Sequence, residues 1–278
     1  MGTLYLCPTP IGNLEDITFR VISTLKSVDL IAAEDTRHTL KLLNHFDIKT
    51  PLTSYYEHNK MAKGQTLLDK LLKGENIALV SDAGTPAISD PGEDLVKLCI
   101  ENGVEIIALP GATALISALI VSGLSTKRFA FEGFLTTNKK NRKAHLDAVK
   151  NDPRTLIFYE APHKLKSTLA DMFETFGERN IVLARELTKK FEEIDRTTLS
   201  QAIIKYEEVV PKGEFVLVVE GISANVDNQI PIDNVEIENE LLSLLSQGIS
   251  GNDASKIIAK QYNVHKRDVY TIYLGLQK

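Results

Sequence analysis

Cysteine is scarce in this chain, with only Cys7 and Cys99. Neither sits in a C-x-x-C or Cys/His spacing, so a zinc centre is excluded and no metal site is expected. Both lie in apolar runs, as buried thiols do, and a reducing cytoplasmic location fits. Long hydrophobic runs are missing as well. The longest candidate, Ala112 to Val121, falls short of the ~20 residues that span a bilayer and carries Thr113 and Ser117. The first residues, Met1-Gly2-Thr3-Leu4, show no basic segment followed by an apolar core, so neither secretion nor membrane insertion is expected. There is no surplus of positive charge: the net charge is −5, and in residues 1–124 the acidic side chains number 15 against 10 basic ones. An avidly basic nucleic-acid footprint is thereby excluded, and any RNA contact has to come from local patches. G-x-G-x-x-G and Walker A sequences are absent, which removes the main support for dinucleotide or ATP binding.

What the chain does have is one loop grammar used three times. Ser81-Asp82-Ala83-Gly84-Thr85-Pro86 follows the apolar run Ile77–Val80. Thr9-Pro10-Ile11-Gly12-Asn13-Leu14 follows Leu4–Cys7, and Leu109-Pro110-Gly111-Ala112-Thr113-Ala114 follows Val104–Ala108. Each loop is rich in Pro, Gly and small residues, ends a predicted strand and opens a helix. If the three strands are neighbours in one parallel sheet, the loops line one crevice at its carboxyl edge, where open α/β sheets bind ligands.

Strand-like runs at 4–7, 30–33, 52–55, 77–80 and 105–109 alternate with helical patterns at 17–26, 39–46, 61–73, 91–102 and 112–121. This alternation predicts an α/β fold whose first domain, residues 1–123, holds a parallel sheet covered on both faces. After Ser122-Gly123-Leu124-Ser125 the strands outnumber the helices, with runs at 129–131, 155–159, 181–187, 193–197 and 214–220. A mixed, partly antiparallel sheet is expected in a second α/β domain, residues 124–222, with a crevice between the two. A polar linker containing Pro231 leads to a helical appendix, residues 232–278. Its Gly248-Ile249-Ser250-Gly251 break gives it a helix-turn-helix outline, and its Lys256, Lys260, Lys266 and Arg267 are placed to face phosphates.

A pocket built from small residues and backbone amides, without a phosphate-cradling lysine loop, fits an uncharged nucleoside-like cofactor better than a polyphosphate. S-adenosylmethionine is such a cofactor, with Asp82 as the electrostatic partner of its sulfonium. Several segments carry a resemblance. Pro8–Thr18, Ala32–Arg37 and Ser81–Gly92, with Phe131–Leu135, Tyr159–His163, Arg185–Lys189 and Gly213–Leu217, resemble the motifs of the ribosomal RNA small subunit methyltransferase I family. That family belongs to the tetrapyrrole methylase superfamily of class III methyltransferases. The chain departs from the family pattern at Ala112-Thr113, at Tyr56 and at Thr136-Thr137, which leaves the cofactor reading intact.

The resemblance implies a homodimer of two tetrapyrrole-methylase-type α/β domains holding S-adenosylmethionine between them. It also implies 2′-O-methylation of a cytidine in the decoding region of bacterial small-subunit (16S) rRNA. Carried over residue by residue, it assigns Pro10, Gly12, Asp82, Ala83, Thr85, Thr113 and Ala114 to the cofactor, and Glu160, Glu186, Leu187 and Thr188 to its far wall. A ribose hydroxyl is a weak nucleophile that gains from a base or a steadying cation. Glu34, Asp35 and Arg37, together at a strand end, are candidates for this work. His58 and His163 are the histidines best placed for proton transfer, and His163 is carried as the fourth catalytic candidate. Lys139, Lys140, Arg142 and Lys143 form the densest basic run and are the expected RNA contact, with Lys164 and Lys189 as further phosphate ligands. A tetrapyrrole methylase on the same scaffold, or a non-catalytic protein binding S-adenosylmethionine and the ribosome, are the alternatives.

Overall fold

A computed structural model describes residues 1–222, 234–262 and 266–276, with the side chains of 234–236, 267 and 268 left aside. Residues 1–221 form one compact unit containing two five-stranded sheets; the described residues from 222 onward belong to another. The first sheet has the order β3-β2-β4-β1-β5, built from Thr3–Leu6 (β1), Leu30–Ala33 (β2), Leu52–Ser54 (β3), Ile77–Val80 (β4) and Glu105–Ala108 (β5). All of its pairings are parallel. The central β4, Ile-Ala-Leu-Val, is buried throughout, as a strand covered on both faces must be. Apolar side chains pack on either face: Leu4, Leu67, Leu71 and Leu95 on one, Val21, Leu25, Ile31 and Leu43 on the other.

The helices of this lobe follow their local signals. Thr18 caps α1 (Phe19–Ser27) by accepting from Val21 N, and Asp35 caps α2 (Thr36–His45) by accepting from Arg37 N. Two further helices, α3 (Lys60–Leu72) and α4 (Gly92–Glu101), cover the sheet.

The second sheet, β6-β7-β10-β8-β9, is mixed. Its strands are Phe129–Phe134 (β6), Thr155–Glu160 (β7), Asn180–Arg185 (β8), Glu193–Thr198 (β9) and Phe215–Val219 (β10). Only β6 and β7 run parallel; β10 is antiparallel to both β7 and β8, and β8 to β9. The strand β6 is longer than the 129–131 expected, because a bulge between Phe131 and Gly133 lets pairing continue. Helices α6 (Lys139–Val149), α7 (Leu165–Phe176) and α8 (Leu199–Glu208) cover this sheet.

The expected boundary at residue 123 requires correction. Helix α5 (Ala114–Ser122) buries Leu115, Ala118 and Leu119 against Ile157, Val182, Val216 and Val218 of the second sheet. The change of lobe therefore falls between β5 and α5, within Leu109–Thr113. Composition gave no sign of it, because α5 is apolar almost all round and reads equally well as a helix of either lobe.

The appendix comprises α9 (Asn234–Ser246), α10 (Gly251–Gln261) and α11 (Lys266–Leu276) around Ile237, Leu241, Ile258 and Val269. Gly251 is needed where α10 meets Tyr273: a Cβ there would lie 2.1 Å from the ring. The expected linker, including Pro231, and the 263–265 turn lie outside the described residues, as does the Arg267 side chain. Lys256 and Lys260 are exposed, while Lys266 donates to Asn252 Oδ1 at 2.6 Å. Among the described residues, no helix is long and apolar enough to cross a membrane.

Candidate active site

Strand order decides the site. Because β4, β1 and β5 are adjacent, the three loops that leave their carboxyl ends lie side by side and bond to one another. Thr9 N donates to Gly84 O at 2.9 Å and Gly84 N to Thr9 O at 3.0 Å. Thr85 Oγ1 donates to Ala112 O at 2.9 Å and lies 2.7 Å from Thr113 Oγ1. Gly84 holds a left-handed φ of +83°, and a Cβ on Gly111 would strike Pro8 at 2.5 Å, so these two glycines let the loops touch.

Opposite them stands a turn of the second lobe, Glu186–Lys189. The strand β8 stops at Arg185, not at Leu187 as expected, because Glu186 and Thr188 adopt left-handed φ values of 51° and 64°. Such backbone is costly for residues with a Cβ and persists only where its surroundings hold it. Here Glu186 Oε1 accepts from Glu214 N and Lys189 Nζ, each at 2.9 Å, and Glu186 N donates to Glu214 O at 3.0 Å. The two walls meet at Gly12, where a Cβ would lie 2.4 Å from Lys189 Cγ and 2.9 Å from Leu187 O.

Between the walls is a cavity of about 540 Å³, the size of a small-molecule site. From the first lobe, Ile11, Glu34, residues 81–85, Ile88, Ser89, Asp90, Thr113 and Ala114 line it; from the second, Phe134, residues 159–162, Ala184, Glu186, Leu187, Lys189 and 214–216. Asp82, Ala83, Thr85, Thr113, Ala114, Glu160, Glu186 and Leu187 are thus brought together as expected. Pro10 lines a smaller recess beside the cavity, while Gly12 and Thr188 build the wall where the lobes meet. Sequence reasoning missed Asp90, Phe134, Tyr159 and Glu214. Tyr159 lay inside a quoted motif; its hydroxyl accepts from Leu115 N at 3.2 Å and its ring meets Phe131 and Phe134 edge-on.

The electrostatics favour a cation. Glu34, Asp82 and Asp90 share the first-lobe wall, and the ammonium of Lys189 is already paired with Glu186 at 2.9 Å and Glu214 at 2.8 Å. Burial, then the neighbouring Asp82 and Asp90 carboxylates, push the Glu34 carboxyl above its ordinary value. Asp82 is held in place by Asp35 N, which donates to its Oδ1 at 2.9 Å. Carboxylates, small residues, backbone amides and the apolar Ile88, Phe134, Leu187 and Val216 together suit a sulfonium-bearing nucleoside.

Other candidates fall elsewhere. Asp35 is committed to capping α2 and to Arg37, whose guanidinium it accepts at 2.8 Å and which holds its carboxyl well below the usual range. Neither lines the cavity, nor do the exposed His58 and His163. Arg142 is corrected outright: only 6% exposed, it puts Nε and Nη2 each 2.6 Å from Asp171 Oδ2, and Nη1 3.2 Å from Thr136 O and Thr137 O. At the fourth position of α6 it faces inward, so it braces the β6–α6 loop instead of meeting phosphate. Lys143 is exposed but pairs with Glu174, and Lys139 and Lys140 stay exposed. Lys164 is tucked in, donating to Leu135 O and pairing with the buried Glu160, each at 2.9 Å. Thr168 and Ala161 N complete the partners of Glu160. Lys189 is therefore part of the cavity wall, and Lys164 sits behind it, bracing the Glu160 that lines the cavity.

Residues 3–203 match the Tetrapyrrole (Corrin/Porphyrin) Methylases. The chain resembles the solved methyltransferase CobJ (TM-score 0.60, 19% identity, covering 80% of this chain and 95% of that one). It also resembles uroporphyrin-III C-methyltransferase from Thermus thermophilus complexed with S-adenosyl homocysteine (TM-score 0.56, 16% identity, covering 80% and 98%). Far greater sequence similarity links it to "Ribosomal RNA small subunit methyltransferase I" of Synechocystis sp., 51% identical over 278 residues and covering 100% of this chain and 99% of the relative. The Bacillus subtilis protein of the same name is 50% identical, covering 98% and 94%. With sequence, fold and cavity in agreement, the chain belongs to the ribosomal RNA small subunit methyltransferase I family of S-adenosylmethionine-dependent tetrapyrrole methylases.

Proposed function

We propose that the chain transfers a methyl group to the 2′-hydroxyl of a cytidine ribose in the decoding region of small-subunit (16S) rRNA, acting in the cytoplasm as a homodimer. The observation that carries this reading is similarity at about half of all positions over the full length of relatives named for small-subunit rRNA. The structural neighbours, at under a fifth identity, speak only for the fold. Ile116 and Ile120, exposed on α5, fit a face covered by a second copy.

Bound S-adenosylmethionine supplies an activated methyl group on its sulfonium. The chain's own residues then have three tasks. Asp82, Ala83, Thr85, Thr113, Ala114, Glu186 and Leu187 hold the cofactor, while Pro10, Gly12, Glu160 and Thr188 fix the walls around it. Alignment and exclusion of water provide much of the rate, since the reagent is already activated. Glu34 takes the hydroxyl proton: it lines the cavity, and its raised pKa makes it a better base than an ordinary carboxylate. Lys139, Lys140 and Arg37, exposed outside the cavity, meet RNA phosphates.

Purified small ribosomal subunits and a porphyrinogen, each incubated with labelled cofactor, separate this reading from the tetrapyrrole alternative. Label in rRNA, located by nucleoside mass spectrometry at a cytidine ribose, is the expected result. Label in the porphyrinogen, or cofactor binding without transfer to either, overturns it.

A further inference from the structure

A second recess, of about 160 Å³, lies beside the large cavity and shares Ser81 and Asp82 with it. Thr39 lines it from α2. This residue is 2% exposed, and its hydroxyl has no hydrogen-bond partner. A helical threonine normally turns its hydroxyl to a carbonyl three or four residues back. Asp35 O instead receives only the Thr39 backbone N–H, at 3.0 Å. A buried, unpaired hydroxyl weakens the fold, and valine would fill the same space without that cost. The group has no use in folding, which points to a ligand.

The walls define the ligand's chemistry. Pro10 and Leu14 contribute apolar surface, and the Asp82 carboxylate disfavours an anion inside. Displacing water at about 30 Å³ per molecule, the recess releases roughly five waters, the space of one six-membered heterocycle with its exocyclic groups. His38 and Lys41 also line it and are exposed, and their side chains have no ion-pair or hydrogen-bond partner among the described residues. They suit the phosphates on either side of such a ring.

Resting on the rRNA reading above, we propose that this recess receives the unstacked base of the acceptor nucleotide, a pyrimidine hydrogen-bonded to Thr39, so that its ribose crosses Ser81-Asp82 toward the large cavity. Thr39→Val and Thr39→Ser test it through steady-state methylation of small ribosomal subunits, cofactor calorimetry and thermal melts. Thr39→Val lowers kcat/KM for subunits about tenfold, equivalent to about 1.4 kcal/mol, with cofactor Kd unchanged and Tm equal to or above wild type. Thr39→Ser retains near-wild-type kcat/KM. A Thr39→Val enzyme with full kcat/KM, or one that loses Tm or cofactor affinity in parallel, overturns the base site while leaving the rRNA reading standing. Wild-type protein that methylates no subunit overturns that reading first.

Discussion

Replacing Arg142 by methionine separates folding from RNA binding within one basic run. Methionine keeps most of the side-chain volume, so the cavity left is small. What is lost is the partner of the buried Asp171 and the donor to Thr136 O and Thr137 O. Removing one member of a buried ion pair costs about 3–5 kcal/mol, because the other charge stays desolvated and unpaired. In a cooperative unit the size of residues 1–221, each kcal/mol moves Tm by about 2–4 °C, so Arg142→Met should melt roughly 10 °C below wild type. Asp171→Leu should behave alike. The double variant should recover most of the loss, giving a coupling energy of at least ~2 kcal/mol in a double-mutant cycle. Lys139→Ala with Lys140→Ala should leave the melt within ~0.5 kcal/mol of wild type and weaken subunit binding more at low salt than at high. If Arg142→Met melted within 2 °C of wild type and lost only subunit affinity, in parallel with the lysine variants, the inward-facing role would be refuted.

Glu34→Gln should lower kcat by about 10²–10⁴. Since burial and then the Asp82 and Asp90 carboxylates raise the Glu34 pKa, the base form is lost early as pH falls, and the acidic limb of kcat/KM should lie above the ordinary carboxylate range; a limb unmoved by Asp82→Asn would count against that cause. The native fold holds this proton more tightly than the unfolded chain does, so stability should fall as pH rises from about 4.5 through the raised value, and Glu34→Gln should remove that slope from denaturant titrations. Gly12→Ala drives a Cβ to 2.4 Å from Lys189 Cγ and should reduce cofactor affinity by about tenfold or more in calorimetry; unchanged affinity would mean the two walls can part freely. Burial pushes the Cys7 thiol up to about 12 and the Cys99 thiol up to about 11, so neither should react with maleimide at pH 8 until the protein is unfolded, and mass-spectrometric labelling of the native protein would contradict their burial.

What could be read from sequence was whatever rests on neighbouring residues. The five first-lobe strands, and the placing of three Pro/Gly loops at their carboxyl ends, follow from apolar runs interrupted by residues that bend the chain. That the loops converge depended on β4, β1 and β5 being adjacent, and that is the order found. The inward turn of Arg142 was not legible, because its partner Asp171 sits 29 positions away on α7, and a basic run at a helix start looks the same whether one member faces in or all face out. Thr39 was passed over for a related reason: a threonine within an amphipathic helix looks ordinary until every hydroxyl around it has been paired and this one has not.

The second-lobe wall shows the limit most sharply. Left-handed backbone is usually flagged by glycine or asparagine, yet Glu186 and Thr188 adopt it with neither. The signal sits instead at Gly213, on the segment leading into the neighbouring strand β10, where a Cβ would lie 2.4 Å from Glu186 Cγ. Space cleared at Gly213 lets the Glu186 side chain lie across the turn, where its carboxylate accepts from Glu214 N and Lys189 Nζ. The same arrangement neutralises Lys189, the one lysine lining the cavity among the described residues. A strained turn thus does two jobs at once: it brings Leu187 O against Gly12 to close the gap between lobes, and it leaves the Glu34, Asp82 and Asp90 wall to set the charge that a sulfonium meets.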